Sequence, residues 1–157
     1  MNRIECFGTI IASEEERWTN QDITPASFSK ALAQCEPGKN IEIAINSPGG
    51  DVTSGLAIAN MIKAQKKCGK ITAHVYGLAA SMASVIACAC DAIRIDESAF
   101  MMIHNPFSMV VGDSHAMTAE AETLDKMKSA MIAFYASKFA LDNDEISKMM
   151  DDETWIS

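Results

Sequence analysis

The 157-residue sequence predicts an α/β fold built on a mostly parallel sheet. Three observations point there. Short β-branched runs alternate with segments of helical periodicity. The run Ile41-Glu42-Ile43-Ala44-Ile45 is apolar enough to lie centrally in a sheet covered on its faces. The strongest strand pattern, Ile71-Thr72-Ala73-His74-Val75-Tyr76, leads through a small-residue turn into an uncharged helical run, Ala83 to Cys90. The length suits one domain with a real core, and there is no internal repeat, linker or low-complexity tract to divide it.

In chain order, Ile4 to Ile11 reads as a first strand and Ser13 to Asn20 as polar loop. Thr24-Pro25 marks a helix start, threonine as N-cap and proline at the first helical position, with Phe28 and Leu32 on one face and Pro37-Gly38 as the stop. After the strand 41–45 comes Asn46-Ser47-Pro48-Gly49-Gly50-Asp51. Its proline fixes one φ and its glycines permit backbone angles other residues avoid. Such a loop is either a plain turn or a cradle that aims bare N–H groups at a negative oxygen. No Gly-Lys-Ser/Thr follows, which argues against a phosphate loop.

Thr53 to Lys67 predicts a helix with Leu56, Ile58, Ala59, Met61 and Ile62 inward, Lys66 and Lys67 near its C-terminus and Gly69 as its cap. The strand 71–76 then leads to Gly77-Leu78-Ala79-Ala80-Ser81-Met82. Ser81 falls at a strand-to-helix turn, either as a small residue where a helix packs on a sheet or as an exposed hydroxyl beside the free N–H of Met82. The second arrangement is what a serine nucleophile needs. Asp91 to Ile95 and Ala99 to Ile103 read as short strands, the latter stopped by His104-Asn105-Pro106, which places a histidine at a strand end. Asp113 to Leu141 is the longest helix, with Met117, Ala121, Leu124, Met127, Met131 and Phe134 at helical spacing, a stripe suited to the core or to a second subunit. Asp142-x-x-Glu145 is a capping box opening a helix through Met150, and the acid run Asp151-Asp152-Glu153 precedes Trp155.

The totals exclude several classes. A net charge of −8 disfavours a general nucleic-acid or anionic-membrane surface. The five cysteines, Cys6, Cys35, Cys68, Cys88 and Cys90, form no Cys-x-x-Cys pair and share no ligand spacing with histidine. They read as free thiols in a reducing, cytoplasmic setting, and no metal is expected. Residues 71–90 carry no formal charge, but polar residues interrupt them, and a buried strand plus a buried helix explains the run better than a membrane span. No signal peptide is visible.

Together, Asn46-Ser47-Pro48-Gly49-Gly50, Gly77-Leu78-Ala79-Ala80-Ser81-Met82-Ala83-Ser84 and Met102-Ile103-His104-Asn105-Pro106 resemble, in order and spacing, the Clp protease proteolytic subunit (ClpP) family of serine peptidases. They are most similar to the phage and prophage branch of head-maturation proteases. The resemblance implies a ClpP/crotonase-like fold with repeated β-β-α units and a long protruding handle helix, as one peptidase domain over residues 1–157, the family's final helix and strand lying beyond Ser157. It implies Ser81 as nucleophile, His104 as general base and an acid in the terminal run. Glu153, two residues before Trp155, occupies the family's acid position, although the main family has aspartate there, and Asp151 and Asp152 remain alternatives. Gly50 and Met82 stand where the family's oxyanion amides are, and Gly49, Asp51 and Val52 where an extended peptide pairs.

The implied activity is a serine endopeptidase on peptides or proteins, such as capsid or scaffold proteins during phage assembly in a bacterial cell. It needs no cofactor. The implied partner is the chain itself, in heptameric or stacked heptameric rings with the long helix at the contact between rings. The short stretch before Asn46 leaves no room for amino-terminal pore loops, so independence from an unfoldase ATPase is expected. Two alternatives use the same residues: a ring or scaffold protein without a working triad, and a crotonase-type acyl-CoA enzyme.

Overall fold

The computed structural model describes residues 1–65 and 67–157; the expected helix-terminal role of Lys66 lies outside them. Six strands and five α-helices follow one another as β1 (Asn2–Cys6), α1 (Pro25–Ala33), β2 (Ile41–Ser47), α2 (Val52–Ala64), β3 (Ile71–Ala80), α3 (Met82–Ala89), β4 (Ala92–Ile95), β5 (Phe100–Ile103), α4 (Ser114–Phe139), α5 (Asn143–Asp151) and β6 (Thr154–Ile156). The sheet runs β1-β2-β3-β5-β6, with β4 also on β3; every pairing is parallel except β5 with β6.

The repeated β-β-α unit is visible in the pairing. The first half of β3 pairs with β4 and its second half with β5, and β4, β5 and α4 form the last full unit. In the first two units the second strand shrinks to single parallel bridges, Ile10 with Ile23 and Ile10 with Gly50. This is why the expected strand 4–11 stops at Cys6: Gly8 packs so closely on the Gln21–Asp22 backbone that a Cβ there would lie 2.3 Å from the Gln21 carbonyl oxygen. Asp22 organises that loop. Its buried carboxylate accepts the N–H groups of Trp18 and Thr19, both at 2.8 Å. Backbone bonds from Thr19 and Trp18, in that order, hold its carboxyl below the usual range.

The core forms where the alternate residues Ile41, Ile43 and Ile45 of β2 and Ile71, Ala73 and Val75 of β3 meet α2 and the fully buried α3. The caps expected at Thr24 and Asp142 form, each as a reciprocal box, with Ser27 and Glu145. Cys6, Cys88 and Cys90 are buried free thiols, each pushed up to about 12 by burial.

Other elements also differ from expectation, β3 running on to Ala80 and β2 to Ser47. α2 ends at Ala64 rather than Lys67, because the Lys67 carbonyl instead accepts the Gly38 N–H at 2.8 Å and Gly69 donates to Lys39 rather than capping. The stretch read as loop holds a single 3-10 turn, Glu14–Glu16. The chain beyond the acid run forms β6. The stripe on α4 is buried only toward its C-terminal end, at Met131 and Phe134, whereas Met117 is exposed. Among the described residues no helix is long and apolar enough to cross a membrane.

Candidate active site

Ser81 sits between the last residue of β3 and the first of α3 at φ 54°, ψ −126°. A β-carbon at positive φ costs on the order of 1–3 kcal/mol, so the surroundings must hold it there. They do so through the backbone. The Ser81 N–H donates to the Met102 carbonyl at 2.9 Å, tying the turn to β5. The Ser81 carbonyl accepts the Ser84 hydroxyl at 2.6 Å, and Ser84 Oγ lies 2.8 Å from the buried Tyr135 hydroxyl of α4. Burial raises the Tyr135 hydroxyl's pKa, which keeps the phenol neutral and hydrogen-bonding.

His104 follows β5. Because β5 pairs in parallel with the end of β3, Ala80 opposite Met102, the residues beyond both strands emerge side by side. His104 Nε2 lies 2.8 Å from Ser81 Oγ, the contact through which an imidazole takes a hydroxyl proton. The Phe107 ring packs edge-on to the imidazole at 5.9 Å between centroids.

The Pro-Gly-Gly loop closes a third side. Gly49 (φ 92°) packs directly on the turn: a Cβ there would lie 2.7 Å from Ser81 Cβ and 2.9 Å from Met82 N. Gly50 (φ 145°) is clasped by Ile10, whose N–H donates to the Gly49 carbonyl and whose carbonyl accepts the Asp51 N–H, both at 2.8 Å. The amides of Gly50 and Met82 donate to no acceptor among the described residues. Two bare N–H groups therefore stand near the hydroxyl, the composition of a site that stabilises an oxyanion. Asp51 caps α2 by accepting the Ser54 N–H at 2.7 Å. Burial raises its carboxyl, but the bonds from Ser54 and Thr53 outweigh that and its pKa is lowered. Gly50, Asp51 and Val52 line one side of a groove of about 230 Å³ that opens at Ser81 and His104; Phe107, Leu124, Met127 and Met131 line the other.

The acid run is held differently. Asp151 Oδ1 accepts from the Asn105 amide at 2.8 Å and from Lys128 Nζ at 2.7 Å; Asp152 pairs with Lys148 at 2.6 Å. Glu153 is exposed, at φ 50°, and its side chain bonds to no described residue. Its position still follows from the sheet. β6 is antiparallel to β5 with Thr154 opposite Ile103, the last pair of that ladder, so Glu153 and His104 are the residues just outside it. The structure thus joins Ser81, His104, Gly49, Gly50 and Met82 and places Asp51 and Val52 along the groove, whereas Glu153 makes no hydrogen bond to His104.

Sequence reasoning missed Ser84 and Tyr135. Ser84 was visible within the Ser81-Met82-Ala83-Ser84 motif, three residues on, where a helical residue reaches the carbonyl of the preceding turn. Tyr135 had no local signal.

The family model described as Clp protease matches residues 13–157. The chain is 34% identical over 130 residues to ATP-dependent Clp protease proteolytic subunit 1 of Protochlamydia amoebophila (strain UWE25), covering 80% of this chain and 62% of that protein. It is 32% identical over 148 residues to the subunit 1 of Chlamydia pneumoniae, covering 88% and 76%. It is 30% identical over 129 residues to the subunit 3 of Rhodococcus jostii (strain RHA1), covering 80% and 62%. The chain therefore spans less than two thirds of the length of two of these relatives, and it belongs to the Clp protease family.

Proposed function

We propose that the chain is a serine endopeptidase in which Ser81 is the nucleophile and His104 the general base. The observation that carries this reading is the 2.8 Å approach of His104 Nε2 to Ser81 Oγ beside two unengaged amides. Ser81 Oγ attacks the substrate carbonyl carbon and its proton passes to His104 Nε2. The carbonyl oxygen, now negative, is held by the Gly50 and Met82 amides. As the C–N bond breaks, His104 returns the proton to the departing amine. A water then repeats the sequence on the acyl-serine, giving the acid and free Ser81. The substrate lies along Gly49, Asp51 and Val52, but not by the strand pairing expected there: Ile10 and Ser47 already engage the Gly49 and Asp51 backbone, and Val52 opens α2.

Glu153 is proposed as the third member, fixing the imidazole with Nδ1 protonated. What supports it is the place of Glu153 directly before β6, which pairs with the strand that His104 follows. Peptides and proteins are the proposed substrates, and phage capsid or scaffold proteins the natural ones. A ring of identical chains is the proposed assembly. The relatives' names include "ATP-dependent"; for short peptides entering the open groove we propose turnover without ATP, checked by assaying with and without the nucleotide.

The deciding experiment is fluorophosphonate labelling mapped by mass spectrometry, with Ser81→Ala and His104→Ala alongside. Adduct at Ser81 alone, lost in both variants, is expected. A folded, oligomeric protein that takes no label would overturn the peptidase reading. It would favour the second reading, a ring-forming scaffold, to which the exposed, unbonded Glu153 side chain points.

A further inference from the structure

The groove beside Ser81 is lined mainly by apolar side chains on its α4 wall, with one exception. Leu124, Met127 and Met131 recur at helical spacing on α4 and line it with Val52 and Phe107. Glu120, one turn before Leu124 on the same face, lines it too. It is half-buried, and no cationic side chain of the described residues pairs with it. The other carboxylate lining the groove, Asp51, is engaged by Ser54 and Thr53.

Glu120 lies beyond the first turn of α4, outside the reach of the helix dipole's favourable effect on acids. That effect does not explain an unpaired carboxylate among methionines. An apolar substrate side chain filling the groove would strip water from Glu120 and supply no partner. An acidic one would add repulsion. A long aliphatic stem ending in a cation would lie along Leu124, Met127 and Met131 and pair with the carboxylate at its tip.

The geometry points to Glu120 as a specificity-determining residue that selects lysine or arginine at the substrate position supplying the attacked carbonyl. This rests on the peptidase reading above. The test compares two peptidyl aminocoumarins that differ only in that residue, lysine or norleucine, which share a four-carbon stem. Wild-type kcat/KM is expected to favour lysine by about tenfold or more. Glu120→Gln should bring the ratio near one and Glu120→Lys should invert it.

The same two peptides, fluorescently labelled, are titrated onto Ser81→Ala and Ser81→Ala/Glu120→Gln by anisotropy, which reads the groove without chemistry. Lysine preference that depends on Glu120 in binding, with no turnover in the wild type, supports the specificity assignment and removes the peptidase reading. Turnover of norleucine with no lysine preference overturns Glu120 and leaves the peptidase reading standing. Equal lysine preference with and without Glu120 also overturns it, and absence of both binding and turnover overturns both.

Discussion

Two turns each carry a residue proposed for the site at positive φ, Ser81 at 54° and Glu153 at 50°. They are built to different standards. The Ser81 turn lies between a ten-residue strand and a fully buried helix, and its carbonyl is held by Ser84, itself bonded to a buried tyrosine. The Glu153 turn lies between a nine-residue helix and a three-residue strand, its side chain exposed and unbonded, and its neighbours are fixed by exposed charge pairs. Surface pairs contribute little and are screened by salt, whereas removing a buried hydrogen-bond partner leaves a costly orphan. The Ser81 turn is thus over-determined by its surroundings, while the Glu153 turn rests on a three-residue strand and surface tethers.

The comparison breaks most visibly through chemistry. Ser81→Ala and His104→Ala should each lower peptide hydrolysis by at least about 10⁴-fold, read as kcat/KM. Glu153→Gln should cost far less, on the order of tenfold, because an exposed carboxylate orients an imidazole less firmly than a buried one. A loss as large as that of His104→Ala would mean that the two turns are equally ordered when substrate is bound.

Stability sharpens the contrast next. Ser84→Ala should destabilise by about 1–3 kcal/mol, because it removes the main bond to the strained carbonyl and leaves the Tyr135 hydroxyl poorly partnered. Tyr135→Phe should cost about 0.5–1.5 kcal/mol, since Ser84 keeps its bond to Ser81. Chemical denaturation midpoints measure both. Glycine at either turn should raise the melting temperature slightly by relieving positive φ, with Ser81→Gly inactive and Glu153→Gly partly active.

The smallest effect is on acid stability. The Asn105 amide, and then Lys128, hold the Asp151 carboxyl below the usual carboxylate range. Its folded pKa is depressed, so its contribution is fully present above the unfolded value and fades as pH falls through the folded one. Asp151→Asn should flatten that acid limb, lowering the melting temperature slightly at neutral pH and leaving it unchanged at low pH, where the carboxyl is already protonated. An unaltered acid limb would show that this tether does not hold the C-terminal turn.

Much of this was legible in the sequence, for identifiable reasons. Ser81 and His104 each end a well-patterned strand, so their place at one end of a parallel sheet follows from strand direction. The early end of α2 was not legible, because it depends on a bond between Gly38 and Lys67 that closes only when two distant loops meet. Ser84 and Tyr135, fifty-one residues apart, meet only through the packing of α3 on α4. β6 was obscured by the acidic residues before it, and Glu120 by a search of the long helix for apolar positions only.

The clasp of Ile10 on Gly50 has a consequence in time. The pieces that would make Ser81 reactive on the proposed function come from residues as far apart as Ile10 and His104, and the proposed Glu153 extends that span further. Parallel pairings of this kind close large loops and form slowly. A chain part-way through folding therefore presents an unassisted serine, harmless to its unfolded neighbours. On the peptidase reading, hydrolytic power would arrive only with the completed sheet, after the neighbouring chains have had time to fold.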